Sequence, residues 1–374
     1  MASGSGFSRR AVLAGLGVGT AGLVAGPLAG RQARAADKAV VGFIYVGTAN
    51  DYGYNQAHAE GAAAVRKMQG VTVLEQARVP ETVAVQNTMD GMINLDGASI
   101  LFPTSFGYFD PFVLRLAKSK PKVQFLHAGG LWKEGEPLNA HSYFGFISQA
   151  VYTAGIVAGH MSKTKKLGFV AAKPIPQVLR NINAFTLGAQ SVDPSISTTV
   201  VFTGDWFLPV REAEAANSLA DQGADVLTCH VDSPKVVMET AEKRGIFCTG
   251  YHTNQAVLAP KAYLTGAEWN WTGLYPRLVG DLIAGKTLPN MIRGGFREGF
   301  VRNSAYNAIV PEAARKQADG VRAQFMAGNF AVFKGPLKDN KGNTVIGAGT
   351  TVDEFDLVLE QMNYLVAGVI GSTS

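Results

Sequence analysis

Short apolar runs alternate with segments of helical period along most of this chain, and this alternation constrains the fold more than any other feature. The apolar runs are 40–46, 71–74, 99–102, 123–126, 167–171, 198–202, 225–229 and 246–249. The helical segments between them are 54–68, 82–93, 111–117, 149–161, 178–192, 210–221 and 235–243. Such alternation predicts an α/β fold in which helices cover parallel sheets.

The repeating region is too long for one sheet, because it spans roughly 340 residues and a single hydrophobic core stops growing below that size. We therefore predict two lobes, with the chain crossing between them at 143–146 and again near 264–268 and 299–303. The first lobe then comprises 38–143 plus 265–298, and the second comprises 144–264 plus 299–374. The same periodicity predicts further helices at 274–284, 311–326 and 353–366.

A polar and aromatic loop joins the first predicted strand to the first predicted helix. Its candidate ligand-binding residues are Asn50, Asp51, Tyr54, Asn55 and His58. In an open α/β sheet, ligands bind beyond the carboxyl ends of the strands, where helix amino termini supply unpaired N–H groups. The alternative is a solvated loop in which Asp51 or Asn55 serves only as a helix cap.

Similar side chains follow four later strands of the predicted sheets. They are Ser105, Trp206, His230, Asp232, Tyr251, His252 and Asn254. Parallel strands deliver their carboxyl ends to one edge, so these groups are predicted to meet at the cleft between the lobes. A planar heterocycle suits such a site, because rings sandwich its faces while polar groups bond to its edge. Each tryptophan alone could equally be core packing.

The amino terminus resembles an export signal. Ser8-Arg9-Arg10 opens an apolar run that ends near Ala29, and Ala33-Arg34-Ala35 follows as a cleavage pattern. Residues 1–35 are therefore predicted to be a twin-arginine signal peptide, which implies a periplasmic protein cleaved near Ala35. The alternative is an uncleaved membrane anchor.

Charge gives no reason to expect nucleic acid or a membrane surface as a partner. The chain has 34 Lys+Arg against 29 Asp+Glu, and the four arginines of residues 1–35 leave 30 against 29, a net charge of +1. Cys229 and Cys248 fall in consecutive predicted strands, where they either pair or remain buried thiols.

Patterns for cofactors, metals and catalysis are weak. Residues 280–287 match the P-loop expression, but they end a predicted helix instead of starting one, and Gly285 is its natural carboxyl cap. The six histidines have no metal-ligand spacing, and residues 230–233 place triad residue types in sequence only. We expect no cofactor, no metal and no catalytic residue.

Four segments resemble the basic membrane protein family of ABC-transporter substrate-binding proteins, which includes bacterial purine nucleoside receptors. They are 41–61, 145–194, 203–234 and 264–275. The resemblance implies a type I periplasmic binding protein with two Rossmann-like lobes and a three-segment hinge. It also implies a monomer that closes on a small molecule and delivers it to an ABC permease in the inner membrane.

The resemblance also implies roles for individual residues. Tyr54 and Trp206 correspond to the two aromatic plates of the family, and Asp51 with Asn55, or Asn50 with Asp51, correspond to its first-loop acid and amide. The aspartate and lysine that relatives use on ribose have no counterpart in 250–255 and 265–269.

A branch associated with free purine bases such as adenine is more similar, although Leu208 replaces its usual aspartate. In that branch Asp232 would also bind the base, and Trp269 or Trp271 would close the pocket. The sequence thus predicts a receptor for a purine base or a similar heterocycle. The alternatives are nucleoside binding, a periplasmic enzyme acting on a nucleoside or amide, and a sensor module.

Overall fold

The computed structural model of the protein describes residues 39–373. The predicted signal peptide lies outside these residues. Fifteen strands occur in the described range. They are β1 (Ala39–Ile44), β2 (Val71–Gln76), β3 (Ile100–Pro103), β4 (Gln124–Ala128), β5 (Ala140–Gly145), β6 (Lys166–Ala171), β7 (Ser197–Phe202), β8 (Val226–His230), β9 (Phe247–His252), β10 (Tyr263–Trp269), β11 (Met291–Gly294), β12 (Val301–Asn303), β13 (Leu337–Lys338), β14 (Thr344–Ile346) and β15 (Val369–Ile370).

Helices alternate with these strands as the sequence predicts. They are α1 (Tyr54–Arg66), α2 (Val83–Asn94), α3 (Leu114–Ser119), α4 (Ser148–Met161), α5 (Pro176–Gln190), α6 (Pro209–Asp221), α7 (Lys235–Arg244), α8 (Trp271–Ile283) and α9 (Glu312–Ala327). The α/β class is therefore confirmed. No helix within 39–373 is both long enough and apolar enough to cross a bilayer.

Two sheets with the same strand order organise the molecule. The first has the order β11-β5-β4-β3-β1-β2 and is parallel throughout. The second has the order β12-β10-β9-β8-β6-β7-β15 and is parallel except at β12. In each sheet the order reverses beside the first strand, between β1 and β3 and between β6 and β8. Such switch points are where open α/β sheets bind ligands.

The chain passes between the two sheets three times. It leaves the first sheet after β5, returns after β10 to α8, which packs on α1, and leaves again between β11 and β12. The crossover predicted near 264–268 falls just beyond these residues, which pair with β9 and extend the second sheet before the chain leaves it. The exact bounds of the two lobes stay a prediction.

The helix predicted at 353–366 is also wrong, because only a short 3₁₀ turn forms there, at Leu357–Gln361. Asp353 and Asp356 accept hydrogen bonds from the amides of Phe355 and Val358, which favours turns over a helix. Further along, the Asn183 side chain accepts from the Val366 amide at 2.9 Å. The backbone of this segment is thus paired with its own side chains and with α5.

The structure decides two questions that the sequence left open, the state of the cysteines and the role of residues 280–287. Cys229 and Cys248 are both buried free thiols. Gly285 follows the end of α8 with a φ of +77°, and its amide donates to the Leu282 carbonyl. Residues 280–287 thus end a helix, as predicted, and do not form a phosphate loop.

Helices α4 and α5 pack closely through glycine. A Cβ atom on Gly155 would lie 2.2 Å from the Phe185 carbonyl oxygen, and one on Gly188 would lie 2.1 Å from the Tyr152 carbonyl oxygen. Both distances are far below van der Waals contact. The backbones of α4 and α5 can therefore pack this closely only because both residues are glycines.

We predict that Gly155→Ala lowers the free energy of unfolding by about 1 to 3 kcal/mol, since the added methyl group must push two buried helices apart. Gly320→Ala in α9 is the matched control, because a Cβ there meets nothing within 4 Å. Replacing glycine by alanine inside a helix should raise the free energy of unfolding by roughly 0.5 to 1 kcal/mol. Urea denaturation measures both. Equal stability of the two variants would contradict the packing argument.

Candidate ligand-binding site

A cavity of about 630 Å³, including its open mouth, lies where the carboxyl ends of the two sheets meet. Six predicted residues line it: Tyr54, Ser105, Trp206, His230, Asp232 and His252. Seven residues that the sequence analysis did not single out complete the wall: Val46, Glu81, Phe106, Ala128, Phe144, Ile175 and Gln177. The switch points of both sheets thus face one space.

Tyr54 is held rigidly in the wall that the first sheet supplies. Its hydroxyl donates to the Thr104 carbonyl at 2.6 Å. Its ring meets His58 and His252 edge-on, at centroid distances of 4.6 and 5.4 Å. With the hydroxyl occupied, the ring is the part of Tyr54 that remains for a ligand.

Asp51 fixes the backbone on either side of Tyr54. Its carboxylate accepts from the amides of Gly53, Asn55 and Gln56 at 2.9, 3.0 and 2.9 Å, at the start of α1. It also accepts from the Asn55 side chain at 2.7 Å, and the Asn55 oxygen accepts from the Gly47 amide at 3.1 Å. Asp51 therefore holds the first-turn amides of α1, and Asn55 ties this turn to the loop after β1.

Trp206 stands on the loop after β7, in the wall of the second sheet. The loop turns at Gly204, whose φ is +96°. Lys173 lies 5.8 Å over the indole ring and pairs with Asp205 at 2.7 Å. The ring lies 6.0 Å from His230 at a tilt of 42°. An aromatic face is thus presented by each sheet.

The histidines of the wall are neutral and already hydrogen-bonded. Asn181 Nδ2 donates to His230 Nδ1 at 3.0 Å, so the ring proton is on Nε2, which lies 3.1 Å from the Tyr251 hydroxyl. Burial lowers the pKa of His230 to about 3. The wall therefore has no cationic imidazole at neutral pH.

His252 lies on strained backbone, with a φ of +75°. Its Nε2 donates to the Val231 carbonyl at 3.1 Å, and its Nδ1 accepts from Trp269 Nε1 at 2.8 Å. Trp269 in turn stacks on Trp271 at 4.9 Å. Both tryptophans are fully buried behind His252, so they support the wall and do not line it.

Asp232 is the unusual group of the cavity. Among residues 39–373, no group donates a hydrogen bond to its carboxylate. Burial raises the pKa of Asp232 well above its ordinary value, and the nearby carboxylates of Asp51, Glu212, Glu81 and Asp205 raise it further. Asp232 is half-buried, so its carboxylate oxygens are open to solvent and to a ligand in the cavity.

Loops from the two sheets meet beside Asp232. The Tyr54 amide donates to the Asp232 carbonyl oxygen at 2.8 Å, and Ser233 Oγ donates to the Asp51 carbonyl at 2.5 Å. A Cβ on Gly53 would lie 1.9 Å from the same Asp232 oxygen. Only glycine permits this approach, which brings Tyr54 and Asp232 into one cavity.

Eight predicted residues lie off the cavity wall. They are Asn50, Asp51, Asn55, His58, Tyr251, Asn254, Trp269 and Trp271. Asn50 and Asn254 are exposed, and the Asn254 oxygen accepts from the Ala256 amide at 2.9 Å. His58 and Tyr251 are buried beneath Tyr54 and His230. No group of three or more possible metal ligands occurs in the described residues.

Comparison with known proteins identifies relatives along nearly the whole described chain. A family model named Bmp, described as PnrA-like ABC transporter substrate-binding protein, matches residues 38–330. A purine-binding protein of Brucella abortus is 34% identical over 354 residues, covering 92% of this chain and 97% of that protein.

Two further relatives extend the comparison. A putative ABC transporter glucose-binding protein of Haloferax volcanii is 29% identical over 346 residues, covering 92% of this chain and 82% of that protein. The structure of an ABC transporter solute-binding protein from Conexibacter woesei has a TM-score of 0.66 at 21% identity, covering 78% of this chain and 97% of the other. The periplasmic binding protein architecture is thereby confirmed.

We predict that Asp232→Asn stabilises the ligand-free protein at pH 8 by on the order of 1 kcal/mol. The folded-state pKa of Asp232 is raised, so the free energy of unfolding falls as the pH rises from the ordinary carboxyl pKa to the raised one, and an amide removes this loss. Urea denaturation at pH 8 and pH 5 measures the effect. A gain that is as large at pH 5 as at pH 8 would contradict this explanation.

Proposed function

Because this chain belongs to the Bmp family of PnrA-like ABC transporter substrate-binding proteins, we propose that it captures a purine base or a similar planar heterocycle and delivers it to an ABC permease. Family members are substrate-binding proteins, so we assign it binding and no catalysis. The proposal places the protein in the periplasm as a monomer.

The aromatic walls support a flat ligand. Tyr54 and Phe144 come from the first sheet and Trp206 comes from the second, and all three line the cavity. A ring stacked on an aromatic face gains about 1 to 3 kcal/mol. Two such faces and a few edge hydrogen bonds supply the roughly 8 kcal/mol that micromolar affinity requires.

The Asp232 carboxyl group, to which no group of the described residues donates a hydrogen bond, is the observation that carries the proposal. Its oxygens can accept hydrogen bonds, and a purine base offers ring and exocyclic N–H donors in the plane of the ring. The pocket has no cationic histidine to neutralise the carboxylate. Gln177, which also lines the cavity, supplies a second edge group. The wall is therefore complementary to a ligand ring whose edge carries hydrogen-bond donors.

A thermal-shift screen of protein refolded from denaturant tests the proposal, with adenine, hypoxanthine, adenosine and glucose as probes. Refolding removes any ligand retained during purification. A ligand at a hundred times its Kd adds about 2.7 kcal/mol to the stability. We expect adenine or hypoxanthine to raise the melting temperature. Stabilisation by glucose alone would overturn the purine assignment.

We predict that Trp206→Ala weakens adenine binding at least tenfold without unfolding the protein, because it removes one stacking face. The matched control is Phe207→Ala, since Phe207 is 58% exposed and does not line the cavity. Isothermal titration calorimetry measures both affinities. Adenine affinity that is equal in the two variants would remove Trp206 from the site.

A further inference from the structure

A second chamber adjoins the first. The two share four lining residues, Phe106, Phe144, Ile175 and Gln177, while the rest of the second chamber lies outside the proposed base site. The second chamber has a volume of about 800 Å³ including its open mouth. A ligand that extends beyond a bare base has room to enter it.

Two helices begin at this chamber. Ser148 is the first residue of α4 and Pro176 is the first residue of α5, and both line the chamber. Neither helix has a side-chain hydrogen bond at its N-cap. The start of a helix carries partial positive charge. Some amides here are already paired, since Gln149 donates to the Phe146 carbonyl at 3.1 Å and Val178 donates to the Ile175 carbonyl at 2.9 Å, and Pro176 has no N–H. The two helix starts thus contribute their partial charge to one space.

Three buried polar atoms in the chamber wall lack a partner. Among the described residues, Ser148 Oγ, Arg180 Nε and Arg293 Nε have no hydrogen-bond partner. Ser148 is 1% exposed and Arg180 is 8% exposed. Leaving a buried donor unsatisfied costs stability, so such atoms in one cavity indicate a missing acceptor.

The two guanidinium groups are fixed in place. Arg293 donates to the Ser142 carbonyl at 3.0 Å and to the Gly130 carbonyl at 3.3 Å, which leaves Nε unused. Arg180 donates through Nη2 to Glu354 and lies 5.2 Å from the centroid of the Phe146 ring. Both groups are thus preorganised to receive an acceptor.

We propose that this chamber binds an oxyanion, a phosphate or carboxylate, carried by the same ligand whose heterocycle occupies the first cavity. The proposal rests on the proposed function for the position of the heterocycle. Two helix amino termini, two guanidinium groups and a free serine hydroxyl supply donors and positive charge. Glu354 already pairs with Arg180, and one residue of the lining is itself a carboxylate.

That carboxylate belongs to Glu360, which lines the chamber 3.8 Å from Arg293 Nε. It lies too far from Nε for a hydrogen bond, and its side chain is 28% exposed. Glu360 would repel a bound anion, so its removal separates charge recognition from other kinds of binding.

Calorimetry on the refolded protein tests the proposal with two matched pairs of probes. AMP differs from adenosine by a phosphate, and orotate differs from uracil by a carboxylate. We expect AMP to bind at least tenfold more tightly than adenosine, or orotate at least tenfold more tightly than uracil. The preference should fall as the salt concentration rises.

Ser148→Ala removes an Oγ atom that has no partner in the described structure, so we expect it to fold normally and to weaken the anionic probe about tenfold. Its control is Thr198→Val, which removes an equally buried unpartnered hydroxyl outside both cavities. Glu360→Gln should strengthen binding of the anionic probe severalfold and leave adenine binding unchanged.

The outcomes distinguish the two proposals. Adenine binding with no preference for AMP or orotate would overturn the oxyanion site and leave the purine assignment standing. A preference for orotate without binding of any purine would overturn the purine assignment and leave the oxyanion site. An anion preference that Ser148→Ala and Glu360→Gln do not change would also overturn the site.

Discussion

The contact between the loop before α1 and the loop after β8 fixes the geometry of the site. The Tyr54 amide donates to the Asp232 carbonyl, and this approach is possible only because Gly53 has no side chain. The aromatic ring from one sheet and the carboxylate from the other are thereby placed in one cavity. If the sheets separated, this pair would separate too, so the complete site exists only in the closed arrangement, and a ligand that bridges both loops favours closure.

The same contact has a cost in stability, because it holds Asp232 in a cavity where carboxylates outnumber cations. Glu212 is a second buried carboxyl group that costs stability. Burial raises its pKa to about 7, and its Oε2 has no hydrogen-bond partner in the described residues. Unlike Asp232, Glu212 holds the start of α6, accepting from the Leu208 amide at 2.7 Å. The Asp232 carboxylate has no such structural partner, which argues that its place is maintained for a ligand.

The sequence predicted the sheets well because strands buried on both faces leave continuous apolar runs. It predicted the region of the site for the same reason, since residues after such runs must gather at the carboxyl edges. It could not predict which of them face the cavity. Asp51 is turned toward α1 by three backbone amides, and Trp269 is turned behind His252 by one hydrogen bond. Glu81 and Gln177 carried no local pattern that would have revealed them.

The error at 353–366 has a similar origin. Apolar residues there recur at helical spacing. The segment nevertheless forms only a 3₁₀ turn, which contacts α5, so the spacing comes from an irregular segment and not from a helix. This segment lies beyond residue 330, where the family match ends, and it brings Glu354 to Arg180 and Glu360 to Arg293. The charge balance of the second chamber therefore depends on residues outside the matched region. Ligand preference in this chain therefore depends on these carboxyl-terminal residues as well as on the region that the family model matches.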